Sequence, residues 1–420
     1  MREMKDSGIE WIGEIPKDWE IIKGKYVLEY LQKPVKDDDG VITCFRDGEV
    51  TLRSNRREDG FTLSDKEIGY QGIDVGDLVV HGMDGFAGAI GISDSRGKAS
   101  PVLNVLNSKY NKRYLMYYLR SMAFSNVFVA LASGIRVRSC DLRWNKLAEL
   151  PYPTTSYDEQ TEIVSYLDTQ CSEIDATVED IQKEISLLED YKKSVITEAV
   201  TKGLNPDAEM KDSGIKWLPK IPMHWKVIPS KYLFANSDIR RQTGDEQLTA
   251  SQKYGIITQK DYTAKENAQI VLATQGLEKW KHVEPNDFII SLRSFRGGLE
   301  MSEITGCITW HYVVLKAQKE VCHKYYKWLF KSARYINALQ GTCNFIRDGQ
   351  DLRFSNFALV PLFELPLAEQ QQIADFLDSK CSEIDSLIAD KKRQLDILAD
   401  YKKSLIYEYV TGKKEVPVNE

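Results

Sequence analysis

Residues 159–203 read EQTEIVSYLDTQCSEIDATVEDIQKEISLLEDYKKSVITEAVTKG, and residues 369–413 read EQQQIADFLDSKCSEIDSLIADKKRQLDILADYKKSLIYEYVTGK. The two stretches lie 210 residues apart and share the EQ pair, Cys-Ser-Glu-Ile-Asp, Asp-Tyr-Lys-Lys-Ser and a terminal Val-Thr. A repeat of this length that occurs twice is not a solenoid unit. It implies a chain built by duplication, with approximate two-fold symmetry.

In the first copy Leu167, Cys171, Ile174, Val178, Ile181, Ile185, Leu188 and Val195 recur at steps of four and three. That period of 3.5 is the seam of a coiled coil. Neither Pro nor Gly interrupts 159–202, so one helix of about 60 Å is predicted, at roughly 1.5 Å per residue. The second copy repeats the seam with Leu377, Cys381, Ile384, Ile388, Leu395, Leu398 and Leu405. Lys391 stands where the first copy has Ile181, which predicts a weaker or solvated layer. With both copies in one chain, the two seams are expected to bury each other.

A second repeat precedes the first. Residues 4–30 (MKDSGIEWIGEIPKDWEIIKGKYVLEY) match 210–236 (MKDSGIKWLPKIPMHWKVIPSKYLFAN), with Trp11, Pro16 and Trp19 set against Trp217, Pro222 and Trp225. These read as irregular straps pinned against a neighbour. The first helix should stop at Gly203 and lead straight into the second strap. The second ends at Val410-Thr411-Gly412, where the matching strap is the one at the N-terminus. The repeat is therefore circular, and the two chain ends are expected to lie together.

Between straps and helices lie two stretches with less in common. Each has a Gly-Asp or Asn-Asp turn entering an apolar run (76–82 and 286–292), a small-residue segment, a β-rich run and an aromatic helix (111–121 and 322–332). Tyr114, Tyr117 and Tyr118 at helical spacing are expected in a core, and so is His311, within the apolar run CITWHYVVLKA. Each stretch is read as a mixed α+β domain. The predicted architecture is two such domains joined by two long antiparallel coiled-coil helices. The expected boundaries are 1–146 for strap and first domain, 147–203 for the central helix, 204–356 for second strap and domain, and 357–420 for the distal helix.

Charge separates these parts. The chain carries a net −6, yet the helices 159–203 and 369–413 hold 11 basic and 20 acidic residues, against 34 basic and 27 acidic in 31–146 and 237–356. A mild positive excess thus lies on the intervening domains. No apolar run reaches the roughly 18 residues of a membrane span and the N-terminus has no apolar signal core, so a cytoplasmic protein without a membrane partner is expected. Seven cysteines without a CxxC pair indicate neither a disulfide framework nor a zinc finger. There is no GxxxxGK[ST] loop, no GxGxxG opening a helix and no Asn-Pro-Pro-Tyr/Phe or Asp-Pro-Pro-Tyr tetrapeptide. A self-contained methyltransferase or nuclease is therefore disfavoured, while a coiled-coil adaptor for proteins alone stays open.

Two domains related by a two-fold axis suit duplex DNA, with half-sites set roughly one helical turn apart. The candidate DNA-facing residues are turn-borne cations and amides. In the first domain they are Arg53, Asn55, Arg56, Arg57, Arg96, Lys98, Arg136 and Arg138. In the second they are Arg240, Arg241, Gln242, Arg293, Arg296 and Arg347. Arg pairs with guanine and Asn or Gln with adenine, while other contacts hold phosphates.

The strap SGIxWxxxIPxxW (7–19 and 213–225), the EQ…LD…CSEID…YKKS helices and the alternation of repeated with divergent segments resemble the specificity subunit of Type I restriction-modification enzymes. The resemblance covers essentially the whole chain. It implies a non-catalytic subunit in which 31–146 and 237–356 are target recognition domains, each reading half of a split DNA sequence, with the helices setting the unread spacer. It implies double-stranded DNA as ligand and two methylation subunits as partners, docked on the straps and outer helix faces, with restriction subunits able to join. It places S-adenosylmethionine, ATP and Mg in those partner subunits, and no cofactor or metal in this chain.

Overall fold

The computed structural model describes residues 2–56, 68–131, 142–266, 273, 275–291, 294–342 and 352–417. Two long helices are present, Tyr157–Lys202 and Leu367–Val410. The first opens where the Ser156 hydroxyl accepts from the Glu159 amide at 3.2 Å. It closes on Gly203, at φ +77°. The second closes on Gly412, at φ +70°, a conformation that carries no penalty without a Cβ. A Cβ on Gly412 would also meet Pro16 at 2.5 Å, so only glycine fits there.

The chain divides into two compact units, and each takes part of both helices. Unit 1 is Met1–Gln182 with Arg393–Glu420, and unit 2 is Lys183–Lys392. Within unit 1, Ile163, Leu167, Cys171 and Ile174 share a core with Leu405, Ile406, Tyr409 and Val410. Within unit 2, Ile196, Ala199 and Val200 share one with Ile373, Ala374, Leu377 and Cys381. Early residues of one helix thus meet late residues of the other, which makes each pair antiparallel. The charges follow the same rule: Lys402 reaches Asp175 at 2.6 Å in unit 1, and Lys192 reaches Asp385 at 2.6 Å in unit 2. The predicted seam is the buried one. Its middle positions Val178, Ile185, Leu188 and Val195 are half-buried, and Ile181 is buried. Lys391 is paired with Glu184 at 2.6 Å, a solvated layer as its charge requires.

The remaining chain of each unit has one common topology despite its divergent sequence. Unit 1 has a four-stranded antiparallel sheet in the order Glu29–Leu31, Leu103–Asn107, Leu78–His81, Ile90–Ile92. Unit 2 has Phe234–Ser237, Val313–Ala317, Phe288–Ile290, Glu300–Met301 in the same order. Both sheets are entered by the expected turn, with Gly76 at φ +85° and Asn286 at φ +76°. The Asp after it folds its side chain back at 2.8 Å, Asp77 to the Asp74 amide and Asp287 to the Glu284 amide. A second, smaller ladder lies beside each sheet, Gln71–Ile73 with Gly97–Ala99 and Lys281–Val283 with Gly306–Ile308.

The aromatic helices Lys112–Phe124 and His323–Lys331 back the main sheets. Tyr114, Tyr117 and Tyr118 are buried in the core as expected. His311 is not. The run 307–317 is broken between Ile308 and Val313, and His311 stands exposed on the intervening turn. Thr, Trp, His and Tyr are all compatible with a strand, so composition gives no sign of the break. It arises because the two flanking strands pair with different partners.

The straps are short hairpins packed on the helix starts. Met4–Asp6 pairs with Glu14–Pro16, and Met210–Ile215 with Leu218–Pro222. Trp19 and Trp225 are completely buried, and their indole N–H groups donate to Glu159 at 3.1 Å and to Glu369 at 3.0 Å. The circular order holds in unit 1, where Lys413 donates to the carbonyls of Ile12 (2.6 Å) and Glu14 (3.0 Å). No described helix is long and apolar enough to cross a membrane.

Candidate nucleic-acid interface

The predicted cations divide into those engaged within their own unit and those presented to solvent. In unit 1 Arg53 starts the turn after Val50–Leu52 and donates through Nε to the Thr43 hydroxyl at 2.9 Å. Asn55 donates to the Thr51 hydroxyl at 2.9 Å. Arg56 lies over the Phe45 ring, 4.2 Å from its centroid, and pairs with Asp47 (2.5 Å) and Glu49 (3.0 Å). Lys98 lies in the small ladder opposite Gly72.

Arg96 is the most engaged. It meets Asp39 with two parallel bonds of 3.0 and 2.9 Å, Asp74 at 2.5 Å and the Pro34 carbonyl at 3.1 Å. A bidentate guanidinium–carboxylate pair fixes geometry as well as charge. Bonds from Lys33 and then Arg96 hold the Asp74 carboxyl down at about 2, and Arg96 also lowers Asp39. Arg96 therefore ties three segments of unit 1 together.

In unit 2 Arg240 bridges to Lys281 and donates to the Lys279 carbonyl at 2.8 Å. Arg241 donates its backbone N–H to the Trp280 carbonyl at 2.9 Å. Gln242 begins a turn fastened by the Asp245 side chain, which accepts from the Gln242 amide at 2.7 Å and pairs with buried His282 at 2.9 Å. The side chains of Arg240, Arg241 and Gln242 are exposed. Arg296 is exposed too, on the turn-like helix Ser294–Gly297. Arg57, Arg136, Arg138, Arg293 and Arg347 lie outside the described residues.

Sequence reasoning missed the exposed pair Trp310 and His311 and the neighbouring Lys279, which share one end of a ladder with Arg240–Gln242. No spacing in the sequence marks them. Among the described residues no group of His, Cys, Asp and Glu is arranged to hold a metal ion.

The outer faces of the helices carry a second repeated feature. Leu187 and Tyr191 in unit 2 are 69% and 51% exposed, and their repeat partners in unit 1, Ile397 and Tyr401, are 61% and 48% exposed. Each unit thus presents an aliphatic and an aromatic side chain one helical turn apart. Below Tyr191 a hollow of about 920 Å³ is lined by Val195, Leu204, Pro206, Leu218, Arg334 and Phe376 among others, all of unit 2.

No family model matches the chain. A protein of Methanocaldococcus jannaschii described as the MjaX type I restriction enzyme specificity subunit is 24% identical over 437 residues, covering 96% of each chain. Among solved structures, a chain from a study of complex assembly and conformational transition of the type I R-M system superposes with a TM-score of 0.67 at 12% identity, over 95% of this chain and 99% of that one. The crystal structure of the HsdS subunit from Thermoanaerobacter tengcongensis gives a TM-score of 0.52 at 14% identity, over 95% and 98%. The motif resemblance, the full-length relative and the fold agree: over nearly its whole length this chain is related to type I restriction specificity subunits and has their fold.

Proposed function

We propose that this chain is the DNA sequence-recognition subunit of a type I restriction-modification complex. The single observation that carries the proposal is the pairing of one topology with two different surfaces. Both units have the same sheet order and the same strap-to-helix bonds, whereas their turn residues differ. Such an arrangement reads two unlike half-sites of one duplex. The two long helices set the spacer between them.

The chain itself is non-catalytic in this reading. Two methylation subunits, which bind S-adenosylmethionine, dock on the repeated helix faces, one at Leu187 and Tyr191 and one at Ile397 and Tyr401. Restriction subunits that use ATP and Mg join the same assembly. Flipping an adenine from the stack costs a few kcal/mol. This subunit's part is to hold the duplex in register while its partner makes that change. The exposed Arg240, Arg241 and Arg296 in unit 2 supply charge, and Gln242 an amide, that face phosphates and bases.

The test is reconstitution. Purified alone, the chain is expected to show no methylation or cleavage. With its methylation partner, mapped N6-methyladenine should fall in one bipartite asymmetric motif. Methylation by the isolated chain, or a partnered complex that methylates without sequence preference, would refute the assignment. A salt-dependent gel shift separates it from a protein-only adaptor, since log affinity falls steeply with log salt when phosphates are contacted.

A further inference from the structure

The four residues Thr309–Tyr312 form a β-turn closed by the Tyr312 amide on the Thr309 carbonyl at 3.1 Å. Its two central residues are Trp310 and His311, both exposed, with their rings stacked 3.5 Å apart at 29°. Turns ordinarily place Gly, Pro, Asn, Asp or Ser at such positions. A half-exposed indole (50%) adds nothing to the core of unit 2.

Unit 1 shows that the scaffold does not require these rings. Its equivalent turn, Ser100–Leu103, is closed in the same way by the Leu103 amide on the Ser100 carbonyl at 3.1 Å. It joins the same two ladders, from Gly97–Ala99 into Leu103–Asn107. Its central residues are Pro101 and Val102. The aromatic pair of unit 2 is therefore a side-chain choice on a shared backbone.

The surroundings of the turn indicate what it touches. Lys281 lies opposite Ile308, so the residues before Lys281 and those after Ile308 share one end of the ladder. Arg240 bridges to Lys281 from the other side, which brings Arg241 and Gln242 to that end as well. Asp238 is held by Lys281 at 2.9 Å. The exposed cations Arg240, Arg241 and Lys279 thus gather at the end of the ladder that carries the exposed indole, with Asp238 and Glu278 as exposed acids beside them. The ladder beneath carries the buried Asp245–His282 pair, whose Asp245 also fastens the Gln242 turn.

We infer that Trp310, supported by His311, is the base-contacting element of unit 2, stacking on or wedging beside a base of the second half-site while Arg240 and Lys279 hold the flanking phosphates. This inference rests on the proposed DNA-recognition role. An aromatic face engages any base, and a wedge at a base step selects for steps that unstack easily. Recognition of the second half-site then depends on a contact that Pro101 and Val102 do not make for the first.

The experiment uses the full chain with its methylation partner. Trp310→Ala is expected to weaken binding of the methylated motif's own duplex about ten-fold or more, with the slope of log affinity against log salt unchanged. Its methylation map should relax in one half-site and keep the other. Trp310→Phe should retain most of the affinity. Lys279→Ala should instead reduce the salt slope by about one contact without changing the motif. The exchange of Trp310-His311 for Pro-Val should fold with an unchanged melting temperature, because unit 1 carries that turn already. Unchanged affinity and an unchanged methylation map in Trp310→Ala would overturn the inference. A wild-type complex that selects no sequence would overturn the recognition role itself, and the inference with it.

Discussion

The hydroxyl of Tyr114 donates to the carbonyl of Val410 at 2.8 Å, across 296 residues of sequence. Unit 2 makes the same bond between Tyr325 and Val200 at 2.9 Å. Each aromatic helix thus caps the last turn of whichever long helix ends in its unit, and in unit 1 that helix comes from the far end of the chain. Both tyrosines are fully buried, and burial raises both phenols well above their ordinary value. They remain neutral donors. Tyr114→Phe should leave the Val410 carbonyl short of a partner and cost about 1–2 kcal/mol, read as a shift in the denaturant midpoint. Tyr325→Phe should cost a similar amount in unit 2.

Ending the chain at Lys403 should unfold unit 1 and spare unit 2. Leu405, Ile406, Tyr409 and Val410 all belong to the unit 1 core. Each buried side chain of this size contributes about 1.5–3 kcal/mol, and four together approach the roughly 5–15 kcal/mol that hold a domain. Hydrogen exchange should show protection lost over 78–81 and 103–107 but kept over 288–290 and 313–317.

Arg96 should govern the acid response of unit 1. Asp74 and Asp39 have folded-state pKa values lowered by Lys33 and Arg96. A lowered carboxyl contributes stability that is fully present above its unfolded value near 4 and is lost as pH falls toward about 2. Arg96→Gln should therefore lower the melting temperature of unit 1 at pH 6 and flatten its decline between pH 5 and pH 2. Asp39 is buried whereas Arg96 and Asp74 are half-exposed, so solvent screens the Asp74 pair more than the Asp39 pair. An acid profile identical to wild type would exclude this account.

Tyr191→Asp and Tyr401→Asp each place a charge on one of the two repeated apolar faces. Each alone should reduce the complex from two methylation subunits to one, and together they should leave the chain unpartnered. Native mass spectrometry reads the stoichiometry directly. Both side chains are exposed, so the melting temperature of the free chain should not move.

Removing one heptad from each long helix, 179–185 and 392–398, preserves the 3.5-residue seam. The expected outcome is a changed unread spacer or loss of methylation, with the bases of both half-sites unchanged in any methylation that persists. Altered half-sites would show that the helices do more than separate two readers.

Much of this protein is legible in one dimension because its largest features are periodic or duplicated. The seam from Leu167 to Val195 follows from local spacing, Gly203 and Gly412 mark helix ends, and the circular order of straps and helices is a matter of counting along the chain. Burial of Trp19 and Trp225 fits straps pinned in place. The tertiary structure decided what depends on partners distant in sequence. It gave the two divergent domains one sheet order, because strand pairing tolerates changes of side chain that preserve burial on one face. It committed Arg56 and Arg96 to Asp47, Glu49, Asp39 and Asp74, since which carboxylate a guanidinium meets is a property of three-dimensional neighbours. It also turned the apparent strand at Thr309–Tyr312 into a tip carrying Trp310 and His311. The two flanking strands join different ladders, and the chain must bend between them whatever its local propensity.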